Sequence, residues 1–228
     1  MFQLTDISLL EYLNGSSSSF MDMFMLILTS GYTWIALYIA LLYLVVSNSE
    51  TMSNIMIIVG CALLCVLLSG ALNDYIVKPI IGRPRPINDM SLGMTIITAM
   101  KSCPKDYSFF SSHAANTMSI AVFFSLLVRE RRLFIALITW SLINCYTRLY
   151  LGLHYPSDIL VGIIWGIIIG YVVYLFYLRI KTKTNENNGP FISTQYTSNG
   201  YSIASIDIVM TVLILIYIYS IFRALILA

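Results

Sequence analysis

Apolar residues run along this chain in long unbroken blocks, with little of the two- or three-to-four-residue alternation that marks a half-buried element of a soluble domain. A bilayer core of about 30 Å needs roughly 20 mostly apolar residues per helix. Blocks of that kind cover Met52 to Leu72, Ser111 to Val128, Leu133 to Tyr150, Ile159 to Leu178 and Ile208 to Ala228, interrupted only by His113, Arg148 and Arg223. A further block, Met23 to Val46, is uncharged but contains Thr29-Ser30-Gly31. That interruption predicts a broken element, with Met21 to Leu28 lying in the interface and Tyr32 to Val46 crossing. The expected fold is an all-α membrane protein of about six transmembrane helices in one bundle, with an N-terminal interfacial helix. Residues 1–228 read as a single domain. Thr184 to Gly200, rich in Asn, Ser, Thr and Gly, reads as a flexible linker before the last span.

Composition agrees, since 58% hydrophobic residues, 11% charged residues and a mean hydropathy of +0.82 do not suit a water-soluble surface. A net charge of +2 says little about partners; membrane lipids are expected, with no nucleic acid and no obligatory protein partner. The placement of charge is more telling. Arg129, Arg131 and Arg132 separate two spans, and Arg179, Lys181 and Lys183 follow another. The positive-inside rule makes these loops cytoplasmic. Lys78, Arg83, Arg85, Lys101 and Lys105 then lie on the opposite face against the bias, as cations would that hold a local anionic ligand. The first fourteen residues carry Asp6 and Glu11 but no Lys or Arg, so a cleavable signal peptide is not expected. Cys61, Cys65, Cys103 and Cys145 show no metal-binding or redox spacing and read as thiols without a catalytic role.

The candidate chemistry sits at the ends of spans. Lys78 stands about one turn past an apolar block, four residues after Asp74, the favourable helical order for an ion pair. Pro79, Pro84 and Pro86 are expected to stop the helix and to display Lys78, Arg83 and Arg85 from a stiff loop. Snorkelling explains any one such cation; three in so short a stretch fit an anion site better. Ser111, Ser112 and His113 open the next helix, whose first-turn amides have no partners inside it and favour an anion. An ordinary serine N-cap accounts for Ser111 or Ser112, but not for His113, which stands where it can pass a proton. Only two histidines occur in the chain. The other, His154, follows Arg148 by six residues and precedes Asp158 by four, with Tyr155-Pro156-Ser157 supplying a turn and an expected N-cap at Ser157. Asp158 in the first turn of its helix is placed to accept the Nδ1 proton of His154 and leave Nε2 free to attack.

On these residues the chain resembles the type 2 phosphatidic acid phosphatase family, whose site is similar to that of vanadium haloperoxidases and glucose-6-phosphatase. The family's Lys, six residues, Arg-Pro matches Lys78, Arg85 and Pro86. Its Pro-Ser-Gly-His is represented by Phe110, Ser111, Ser112 and His113, and its Ser-Arg, five residues, His, three residues, Asp by Thr147, Arg148, His154 and Asp158. The resemblance covers about residues 52–178. Phe110, Ser112 and Thr147 depart from the pattern; none of the three removes a nucleophile, proton donor or guanidinium. The resemblance implies that His154 attacks phosphorus, that His113 protonates the leaving oxygen, and that water hydrolyses the phosphohistidine. Lys78, Arg85, Arg148, Ser111 and Ser112 would hold the phosphate without metal or cofactor, as phosphoryl transfer rests largely on positioning and charge.

The expected activity is therefore a lipid phosphatase of the bacterial cytoplasmic membrane acting on the extracytoplasmic face. Undecaprenyl diphosphate is the expected substrate, with Arg83 reaching the second phosphate. Lipid A or phosphatidylglycerol phosphate is the alternative, and a non-enzymatic lipid-binding or transport protein is the reading of another class. Vanadate-dependent halide oxidation fits poorly, because the haloperoxidases it would resemble are soluble.

Overall fold

The computed structural model describes residues 2–89, 96–100, 106–183 and 194–228. Lys101, Cys103 and Lys105 lie outside the described residues. In chain order the helices are α1 (Phe2–Leu13), α2 (Ser19–Thr29), α3 (Ile35–Ser47), α4 (Met52–Val66), α5 (Lys78–Ile81), α6 (Ser112–Val128), α7 (Arg131–Tyr150), α8 (Pro156–Lys183) and α9 (Ile203–Leu227). α7, α8, α9 and the length from Met52 to Asn88 are each long and apolar enough to cross a membrane. The remaining expected crossings are a bent pair, Ser19–Thr29 with Gly31–Ser47, and the 17-residue α6. α1 has no counterpart among the expected elements, since its stretch is too short and polar to read as a span.

The break between α2 and α3 turns the chain by 65°. Such a bend would strand the last carbonyls of α2 in an apolar setting, where each unpaired group costs several kcal/mol. Thr33 Oγ1 donates to the carbonyl of Ile27 at 2.5 Å and Trp34 Nε1 donates to that of Leu28 at 2.8 Å, so residues just past the break satisfy them. Trp34 then packs edge-on against Trp140, with centroids 5.7 Å apart.

α4 passes into α5 through two wide π-helical turns, Leu67–Ala71 and Asn73–Val77. Pro79 does not stop the helix as expected. The backbone stays helical through it as far as Ile81. The stop comes at Gly82, whose φ of 64° glycine adopts without steric penalty.

α6 lies at the centre, against α4, α7 and α8, while α9 packs on α2 and α3. At 1.5 Å per residue α6 measures about 25 Å, short of a bilayer core, but most of its surface meets protein rather than lipid. Its closest neighbour is α8, which presents Gly162, Gly166 and Gly170 to it. A Cβ on these would lie 2.7, 2.6 and 2.6 Å from the backbone oxygens of Ser111, Ala115 and Ser119. Only glycine permits that approach. The outward faces carry exposed residues such as Ile164, Ile168, Leu215 and Phe222, the reverse of a soluble surface. Residues 184–193 of the expected linker lie outside the described residues. The part that follows is not loose: Thr197 N donates to Tyr201 O at 2.8 Å, Tyr196 bridges Ser202, and Tyr201 is buried.

Candidate active site

α5, the start of α6, the end of α7 and the α7–α8 turn meet at one end of the bundle around a cavity of about 270 Å³. Lys78, Arg85, Ser112, His113, Arg148 and His154 line it, and so do Asp74, Asp106 and Tyr107. Residues far apart in sequence thus share one space.

His154 sits in a short turn held by Leu153 N donating to Arg148 O at 3.0 Å, with Gly152 at a φ of 66°. Arg85 Nη1 lies 3.2 Å from His154 Nε2. A guanidinium can only donate, so Nε2 is the acceptor and the ring proton belongs on Nδ1. Burial first, and then the charges of Arg148 and Arg85, push His154 down to about 3 against the opposing pull of Asp158. The ring is therefore neutral at any physiological pH before a phosphate arrives, with its lone pair on the cavity side.

Asp158 is fully buried in the first turn of α8. The expected direct bond to His154 is replaced by a separation of 3.7 Å between Nδ1 and Oδ2. Oδ2 accepts from the Ser108 hydroxyl and, at 3.1 Å, from Tyr155 N. Ser157 is not the N-cap; α8 begins at Pro156, and the Ser157 amide and hydroxyl both donate to Asp6 of α1.

Arg83 is the clearest departure from expectation. It does not line the cavity. Its Nη1 donates to Asp158 Oδ1 at 2.7 Å, its Nη2 to Asp6 Oδ2 at 2.8 Å, and its guanidinium stacks 3.8 Å over the Tyr155 ring. Two carboxylates and an aromatic face hold it outside the cavity. Ser111 is also outside the cavity. It is the buried N-cap of α6, accepting from Ala114 N at 3.4 Å, and its own amide donates to the Asp158 carbonyl. The N-terminus it caps opens on the cavity at Ser112 and His113.

Three cations face that space. Lys78 Nζ pairs with Asp74 Oδ1 at 2.7 Å and lies 3.8 Å from Asp106 Oδ2. Arg85 grips Asp106 at two points, Nε to Oδ1 at 3.2 Å and Nη2 to Oδ2 at 2.7 Å, the fork geometry it would also use on a phosphate. Burial raises the Asp106 carboxyl, but the Arg85 bond and the charges of Arg85 and Lys78 outweigh it and hold the group below the usual carboxylate range. Arg148 donates from Nη1 to Thr29 Oγ1 at 2.8 Å, and its buried Nε has no hydrogen-bond partner among the described residues. As a residue of the cavity wall, Arg148 brings a guanidinium charge to an incoming anion. Ser112, where the family has glycine, donates to Asp74 Oδ1 at 2.6 Å and accepts from Asn73 Nδ2 at 2.8 Å. Its hydroxyl thus ties α6 to the π-helical turn that carries Asp74. Among the described residues no His, Cys, Asp and Glu cluster could hold a metal ion.

A buried neutral imidazole facing three cations at one end of an apolar helical bundle has the equipment of a phosphoryl-transfer site. Residues 31–182 match the PAP2 superfamily, and the chain belongs to that family. A lipid A 4'-phosphatase of Bacteroides thetaiotaomicron is 35% identical over 173 residues, 75% of each chain. One of Porphyromonas gingivalis is 31% identical over 75% of this chain and 72% of its own. An undecaprenyl-diphosphatase of Bacillus subtilis is 28% identical over 48% of this chain and 53% of its own. In fold the chain is similar to the crystal structure of a transmembrane PAP2-type phosphatidylglycerolphosphate phosphatase from Bacillus subtilis. That likeness has a TM-score of 0.59 at 18% identity, over 79% of this chain and 88% of the other.

Proposed function

We propose that this phosphatase removes a phosphate from the sugar headgroup of lipid A, and the observation that carries the reading is the match to lipid A 4'-phosphatases over about three-quarters of both chains. The alternative expectation thereby displaces undecaprenyl diphosphate. Part of the case for a diphosphate was Arg83, and Arg83 is engaged by Asp6 and Asp158.

In this reading His154 Nε2 attacks phosphorus, an N–P bond forms, and the P–O bond to the sugar breaks as His113 gives its proton to the leaving oxygen. Water, deprotonated by His113, then breaks the N–P bond and releases orthophosphate. Lys78, Arg85, Arg148 and the α6 N-terminus hold the equatorial oxygens. Arg85 now occupies the His154 lone pair, so the arriving phosphate has to take that contact over. Asp158 keeps the proton on Nδ1 and offsets the positive charge of the phosphorylated ring. The test is phosphate release by purified protein in detergent and EDTA, from lipid A and from undecaprenyl diphosphate. We expect at least a tenfold higher specificity constant for lipid A, about 1.4 kcal/mol of transition-state discrimination. The reverse preference would restore the isoprenoid reading, and activity lost in EDTA but restored by magnesium would remove the histidine mechanism.

The site lies at the end of the bundle opposite Arg129, Arg131, Arg132 and Arg179, which supports an extracytoplasmic face on the cytoplasmic membrane. A thiol at Asn88 in a cysteine-free variant is expected to react with an impermeant reagent outside intact cells. Protection there, with labelling only after lysis, would invert the topology.

A further inference from the structure

We infer that Ser108 is the positioning residue through which Asp158 acts on His154, an inference that rests on the phosphohistidine reading above. Ser108 lies outside the three motif matches and is fully buried. Its amide donates to Arg83 O at 2.8 Å, which fixes the backbone beside the carboxylate. Its hydroxyl donates to Asp158 Oδ2 and stands 3.4 Å from His154 Nδ1.

The assignment follows from counting donors. A serine hydroxyl has one hydrogen and two lone pairs. Its hydrogen goes to Asp158, because an ionised carboxylate can only accept. The oxygen lone pairs are then turned to Nδ1, which carries the ring proton because Arg85 can only donate to Nε2. Asp158 itself stands 3.7 Å from the ring, beyond hydrogen-bond range, with Oδ1 engaged by Arg83 and Oδ2 by Ser108 and Tyr155 N. The chain of contacts therefore runs His154, Ser108, Asp158, Arg83. When Nε2 bonds to phosphorus the ring becomes cationic, the Nδ1 hydrogen bond to Ser108 shortens, and the carboxylate stabilises that charge through the hydroxyl. Catalytic hydrogen bonds that are long before substrate binds commonly tighten in this way.

The experiment uses p-nitrophenyl phosphate, so that it does not depend on which lipid is the natural substrate, and reads phosphohistidine formation by rapid quench together with the affinity of orthophosphate as a competitive inhibitor. Ser108→Ala is expected to slow phosphoenzyme formation about 10-fold to 100-fold, the rate equivalent of one hydrogen bond to a charged group. Orthophosphate affinity should stay within about twofold, because phosphate forms no bond to Nε2 on binding and the cations of the cradle are untouched. In the Asp158→Asn background the same substitution should add little, since both changes cut one path. Ser108→Cys, which keeps the shape but is a weak donor, should be slow as well. Independent, additive losses, a parallel fall in orthophosphate affinity, or full activity of Ser108→Cys would each show that Ser108 only packs the site. If the wild-type protein forms no phosphohistidine, the mechanism itself fails. Phosphoenzyme in the wild type together with a normal rate in Ser108→Ala overturns this inference alone.

Discussion

His154→Ala is expected to abolish both turnover and the phosphoenzyme, whatever the leaving group, whereas His113→Ala should keep activity toward esters that leave without help. The asymmetry comes from where the two rings stand. His154 is buried, neutral and held by Arg85, so its lone pair is aimed but it has no proton to give on the cavity side. His113 stands exposed at the α6 N-terminus on the cavity wall. General acid catalysis is worth about 100-fold to 10,000-fold. That loss should appear with a sugar phosphate and shrink with p-nitrophenyl phosphate, whose phenolate departs unprotonated. Steady-state rates of both variants on both esters decide it; equal rescue of the two would show that the roles are wrongly divided.

Gly166→Leu is expected to remove activity by a different route. The new Cβ would sit 2.6 Å from the Ala115 oxygen and 2.8 Å from Met118 Cβ, so α8 has to move off α6. Overpacking of this kind costs about 1–3 kcal/mol and sometimes more. Here it also separates His113, carried by α6, from the turn that carries His154. Melting in detergent should fall along with activity, while Ile164→Leu, on the exposed face two residues away, should change neither. A Gly166→Leu protein with wild-type melting and turnover would mean that this helix contact does not set the site.

Much of this arrangement was legible before any coordinates. Long apolar blocks announce spans because the bilayer demands length, and Thr29-Ser30-Gly31 marked the break because such residues weaken a helix. Lys78, Arg85, His113, Arg148 and His154 stood out because charge and imidazole are rare in apolar sequence. What escaped notice is of another kind. Ser108 and Thr29 are neutral hydroxyls, common in any chain, whose importance lies wholly in partners 50 and 119 residues away. Asp106 follows a stretch with no periodicity. Arg83 is visible in the sequence, but spacing cannot say whether a guanidinium turns toward a cavity or toward Asp6, 77 residues earlier. Pro79 misled for a local reason, since the stop it seemed to impose falls at Gly82.

Asp106 changes how an inhibitor would have to be built. Of the charged side chains on the cavity wall, Lys78, Arg85 and Arg148 are set against Asp74 and Asp106, so the resting pocket carries a single net positive charge and attracts anions only weakly from a distance. A phosphonate has to exchange with a carboxylate already seated on Arg85. A compound that leaves Asp106 in place and bears a hydrogen-bond donor for its half-exposed carboxylate would use a contact that no phosphate mimic makes.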